Sequence, residues 1–138
     1  MRTFKLLLKY SFGLLFVLGG LYHFVNPSLY LRMMPSYLPW HLFLVYLSGF
    51  FEVALGLLLL VPRYARLAAW GLIALLVAVF PANVQMALNP QLFPDLPPAV
   101  LWLRLPLQAV FVYWAYRLTR AESASERRAS VSPQAARD

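Results

Sequence analysis

Residues 41–61 read HLFLVYLSGFFEVALGLLLLV, a stretch in which the only fully charged side chain is Glu52. A helix needs about 20 mostly apolar residues to cross a hydrocarbon core about 30 Å thick. This stretch is long enough, and no proline interrupts it before Pro62, which has no N–H with which to continue a helix. Working outward, three more segments have the same character: about Leu6 to Val25, about Leu67 to Leu88, and about Ala99 to Leu118. The composition agrees. Of 138 residues, 62% are hydrophobic and 12% charged, against about 45–50% and about 25% in ordinary globular domains. A soluble domain this small has too much surface for its volume to hide so much apolar area. The reading is an all-α integral membrane protein, with a four-helix transmembrane bundle over residues 1–120 and a disordered cytoplasmic tail over residues 121–138.

The breaks between the segments are prolines. Asn26-Pro27, Pro35 and Pro39 end the first helix and keep the next stretch irregular. Asn89-Pro90, Pro94 and Pro97-Pro98 fill the third connection, and Pro98 opens the fourth helix, where its missing N–H costs nothing. Pro81 falls inside the third helix and should bend it, which neighbouring helices make tolerable in a membrane. The first segment has a basic start but no small-residue cleavage site after it, so it reads as a retained helix.

The net charge of +7 lies between the apolar runs and in the tail, not on one folded face. It therefore reads as an orientation signal and excludes nucleic acid as the partner. Arg2, Lys5 and Lys9, then Arg63 and Arg66, then Arg117, Arg120, Arg127, Arg128 and Arg137 alternate as four crossings require. Both termini are expected in the cytoplasm of a bacterial-type cell with the bundle in its inner (plasma) membrane. Tyr30, Tyr37, Trp40, Phe93 and Trp102 would form the aromatic belt of the outer interface.

Function in such a chain should reside in the polar groups that lipid penalises. Glu52 stands about 15 Å into its helix at ~1.5 Å per residue, where an ionised group costs roughly 2.5–3.5 kcal/mol. Gly49 and Gly56 fall on its face and would let another helix approach closely. Arg104 and Gln108 share a face one turn apart, Asn83 lies on the third helix, and His23 shares a face of the first helix with Gly19. These five form a candidate ligand-binding cluster beneath the outer surface. Gln85 points elsewhere, and His41 beside Trp40 reads as interfacial. A purely structural account is also open: an ion pair of Glu52 with Arg104, with Asn83 and Gln108 joining helices. No second histidine or cysteine is spaced for a metal, no nucleophile–base pair or phosphate loop is visible, and the absence of cysteine excludes thiolate chemistry.

The strings Gly20-Leu21-Tyr22-His23-Phe24-Val25-Asn26-Pro27, Met34-Pro35 and Leu38-Pro39 resemble the first helix and loop of the DoxX-like membrane proteins. Ser48-Gly49-Phe50-Phe51-Glu52 with Gly56 and Pro62-Arg63 resembles their second helix. Ala68-Ala69-Trp70-Gly71 and Phe80-Pro81-Ala82-Asn83 resemble their third, and Arg104-Leu105-Pro106-Leu107-Gln108 the start of their fourth. The resemblance covers about residues 10–118. It implies a four-helix transmembrane bundle and places His23, Glu52, Asn83, Arg104 and Gln108 on the family pattern. It also implies a redox setting, since some relatives are described as subunits of a thiosulfate:quinone oxidoreductase and others accompany redox-protective proteins; distant members act as membrane chaperones.

The first expectation is a binding or accessory protein for a small lipophilic, quinone-like ligand, with no intrinsic cofactor. Beside it stand a membrane subunit of an oxidoreductase, needing a redox protein partner in the bilayer, a small proton-coupled transporter working as a homo-oligomer, and an assembly factor for other membrane proteins.

Overall fold

A computed structural model describes residues 2–131, and all of its regular structure is helical. The elements are α1 (Arg2–Val25), α2 (Pro27–Met33), α3 (His41–Leu59), α4 (Ala65–Leu88), a short 3-10 turn (Pro90–Leu92) and α5 (Pro98–Val131). Four of them, α1, α3, α4 and α5, are long and apolar enough to cross a membrane. Only 17–28% of each apolar stretch is buried within the protein. The rest faces outward as a belt that includes Leu14, Leu18, Phe43, Phe50, Val77 and Val110. Monomeric soluble proteins rarely expose apolar patches beyond a few hundred Å², so acyl chains are the medium that this belt fits. The chain is a multi-pass membrane protein.

The bundle is assembled from two close pairs, α1 on α3 and α4 on α5, joined by α3 on α4. The α1–α3 pair is backbone against backbone. A Cβ added at Gly20 would come within 2.7 Å of the Gly49 carbonyl oxygen, and one at Gly56 within 2.8 Å of the Gly13 carbonyl oxygen. In lipid no hydrophobic force drives helices together, so small residues that admit close van der Waals packing supply the attraction.

Two apolar cores follow. At the basic end, Phe12, Leu59, Ala65, Ala68, Leu72 and Ala115 are fully buried together. Phe12 stands with its ring centroid 4.6 Å from that of Trp114 and so bridges α1 to α5. At the opposite end, Met33 of α2 packs with Met86, Phe93 and Leu101. Where the sequence predicts irregular chain after Asn26-Pro27, α2 forms instead. Pro27 occupies its first turn, the one place where a helix tolerates proline freely. Phe93 is buried rather than part of an aromatic belt, with the Arg32 guanidinium 5.6 Å above its ring. Arg32 also donates to the Leu92 carbonyl at 3.2 Å. Tyr37, Trp40 and Trp102 are exposed at this end.

The largest departure from the sequence reading lies at the C-terminus. The segment expected to be disordered from residue 121 continues α5 without a break to Val131; residues 132–138, Arg137 among them, lie outside the described residues. Extending an existing helix needs no new nucleus, and alanine, glutamate and arginine are good helix formers. Side chains then pin it. Lys9 Nζ lies 2.6 Å from Glu122 Oε1, with both groups largely shielded, and Arg66 lies 3.5 Å from Glu126 on the exposed surface. The buried pair matters more, because exposed pairs contribute about 0–1 kcal/mol.

The glycine contacts give a discriminating test. A Cβ at Gly20 meets backbone, whereas one at Gly71 meets the Leu55 Cδ2 methyl at 2.7 Å, the end of a side chain that can swing away. Gly20→Ala should therefore cost about 1–3 kcal/mol by overpacking, and Gly71→Ala should be neutral, since alanine is the better helix former by about 1 kcal/mol. Thermal unfolding of both variants in detergent checks this; equal melting temperatures would show that the α1–α3 approach is not tight.

Candidate functional site

Between the two apolar cores lies a polar layer built from all four long helices. His23 reaches in from α1, Glu52 from α3, Asn83 from α4, and Arg104 and Gln108 from α5. All five line one cavity of about 380 Å³, together with Tyr30 of α2 and apolar walls that include Phe16, Leu76, Val79 and Phe111.

The α1–α3 wall follows from the glycine contact. Gly49 sits against the Cβ of His23, and Gly19 lets the Glu52 carboxylate lie close over the α1 backbone. His23 Nδ1 is 3.0 Å from the Gly19 carbonyl oxygen and 3.2 Å from Glu52 Oε2. A carbonyl can only accept, so in that contact Nδ1 donates to Gly19, with the carboxylate close beside it. The ring is also fixed from its face. Tyr30 stacks on it with centroids 3.6 Å apart and planes 19° from parallel. Burial, reinforced by the nearby Glu52 carboxylate, raises the pKa of the Tyr30 hydroxyl.

The α4–α5 wall is a directional chain of hydrogen bonds. The Arg104 fork points Nε and Nη2 at Asn83 Oδ1, both at 3.4 Å. Asn83 Nδ2 donates to Gln108 Oε1 at 2.5 Å, and Gln108 Nε2 donates to the Leu76 carbonyl. Each amide thus accepts with its oxygen and donates with its nitrogen. Two prolines lie inside the helices that carry this chain, Pro81 in α4 and Pro106 in α5. Each leaves one carbonyl a turn earlier without its helical donor. No buried side-chain polar atom among the described residues lacks a partner.

The five residues selected from the sequence are therefore brought together, but Glu52 and Arg104 do not form the ion pair of the structural account. Among the described residues no acid lies within salt-bridge distance of Arg104, and Glu52 pairs with His23 instead. The cavity has a cation on one wall and an acid–imidazole pair on another. Gln85 is absent from the lining, and its carbonyl accepts from Asn89 at 2.9 Å. His41 Nε2 lies 3.1 Å from the Pro35 carbonyl, away from the cavity. Among the described residues no group of three metal-ligating side chains forms. Tyr30 and Ser48 line the cavity yet do not stand out in the sequence. Tyr30 reads there as interfacial, because the helix that turns it inward is hidden behind Asn26-Pro27.

The family model described as Domain of unknown function (DUF8561) matches residues 12–119, and the chain belongs to that family. The match takes in α1 from Phe12 to the last buried turn of α5 at Thr119, and with it every residue of the polar layer. No curated protein and no solved structure matches the chain.

If the amide chain is continuous, its links are coupled. Gln108→Ala strands the Asn83 amide in a buried layer, a loss of about 1–3 kcal/mol. Adding Asn83→Ala should then cost much less than it does alone. A double-mutant cycle by thermal unfolding in detergent should give a coupling of about 0.5–2 kcal/mol; strict additivity would mean that the two amides act independently.

Proposed function

We propose that this member of the DUF8561 family is a binding or accessory protein whose cavity takes a small lipophilic ligand with a polar, quinone-like head. The observation that carries the reading is the composition of that single cavity. Its volume of about 380 Å³ falls within the ~300–1,000 Å³ usual for small-molecule sites, which are mostly apolar with a few placed polar groups. The Arg104 guanidinium offers N–H groups to a carbonyl oxygen. His23 and Glu52 offer a second polar contact from another wall. Tyr30, Phe16 and Phe111 supply flat apolar surface for a ring. Charged groups within a membrane span are costly and are functional candidates by default.

The same residues carry the likeness to the DoxX-like proteins, and with it the proposed redox setting. In that setting the protein presents a quinone to a partner that holds the redox centre, because its own sequence contains no thiol with which to exchange electrons. The bundle is proposed to lie in a bacterial-type inner membrane, with α2 and the exposed Tyr37, Trp40 and Trp102 at the outer face. The basic turn at Arg63 and the C-terminal part of α5 then lie on the cytoplasmic side.

Titration of the detergent-solubilised protein with a short-tailed benzoquinone, with mass spectrometry of co-purified lipophiles, tests this. Wild type should bind in the micromolar range. Arg104→Met and Glu52→Gln should each weaken binding about tenfold, or about 1.4 kcal/mol, with helicity unchanged. Equal affinity in all three proteins would remove the cavity from consideration as a quinone site.

A further inference from the structure

A second cavity lies at the other end of the molecule, outside the polar layer. Between the first turns of α1 and the middle of α5 runs a groove of about 800 Å³. Its walls are apolar, with Phe4 and Leu8 on one side and Val110 and Trp114 on the other. Its border is cationic, with Lys5, Arg117 and Arg120 all exposed. The one acid that lines it, Glu122, is already taken by Lys9 at 2.6 Å. Apolar walls thus continue the lipid-facing belt, and uncompensated positive charge collects where the belt meets water.

We propose that this groove binds an anionic phospholipid, with an acyl chain along the apolar walls and the phosphate at Lys5, Arg117 and Arg120. Three observations select that occupant. A free phosphate would leave the apolar walls bare. A second copy of this chain docking the same face on itself would set one cationic border against an identical one. A lipid joins chain and anion in one molecule, and basic pockets between membrane helices are known to take such head groups. Arginine suits the phosphate because its planar fork can donate two hydrogen bonds at once. The Arg117 fork is already oriented, since its Nη1 lies 3.0 Å from the Tyr113 hydroxyl.

Native mass spectrometry of the full-length protein with dioleoyl phosphatidylglycerol and dioleoyl phosphatidylcholine tests the proposal. Wild type should retain the glycerol lipid at least tenfold over the choline lipid. The variant Lys5→Gln/Arg117→Gln/Arg120→Gln should lose that preference. The control Arg63→Gln/Arg127→Gln/Arg128→Gln, which removes three charges away from the groove, should keep it. Leu8→Trp leaves every charge in place and fills the groove, so it should lower retention of the glycerol lipid several-fold, and it decides the matter if the triple variant fails to fold. The proposal is overturned if wild type shows no preference, if the control loses as much as the triple variant, or if inorganic phosphate displaces the lipid at equal concentration.

Discussion

The contact on which the rest depends is the backbone approach of α1 to α3 through Gly13, Gly20, Gly49 and Gly56. It brings two helices together where lipid gives no hydrophobic reason for them to meet. It also fixes the rotation of both. With Gly20 against Gly49, His23 and Glu52 turn toward each other, and the acid acquires an imidazole neighbour 3.2 Å away at a depth where water is scarce. A larger side chain at either glycine would separate the helices and leave the carboxylate to find another partner.

The second constraint is that polar groups in such a layer must satisfy one another. The α4–α5 wall does this serially, from guanidinium to amide to amide to a backbone carbonyl, and the α1–α3 wall does it by pairing acid with imidazole. What remains over is charge. Arg104 is hydrogen-bonded, but its charge meets no acid, and it faces a cavity rather than the packed interior. Desolvation can cancel the Coulombic gain of a buried ion pair, so stability alone does not require Arg104 to join Glu52. The two groups instead stand on different walls of one cavity.

The four spans were legible because their physics is one-dimensional: length, hydropathy and proline position set where a helix can cross. That the five polar residues would gather in one layer was legible for a related reason, since each is a polar group that lipid penalises and helical phase shows which of them share a face. Three features were not legible. The pairing of Glu52 with His23 rather than Arg104 depends on the relative rotation of helices, which no single helix encodes. The inward turn of Tyr30 and the burial of Phe93 depend on α2, a helix too short to show a periodicity and introduced by a proline that also reads as a break. The helical stretch from residue 121 to Val131 has the composition of a disordered tail, and what orders it is contact with Lys9 and Arg66, distant in sequence.

That last stretch has a mechanical meaning. α5 is one continuous rod of about 51 Å at ~1.5 Å per residue, while the hydrocarbon core is only about 30 Å thick. The same helix carries Arg104 in the cavity and, about 27 Å further along, Glu122 clasped to the first helix. Pro106 lies between Arg104 and Glu122, but from Gln108 to Glu122 the helix contains no proline, so the cavity wall and the clasp share one length of helix. The polar layer and the C-terminal clasp thereby share one helix as their common support.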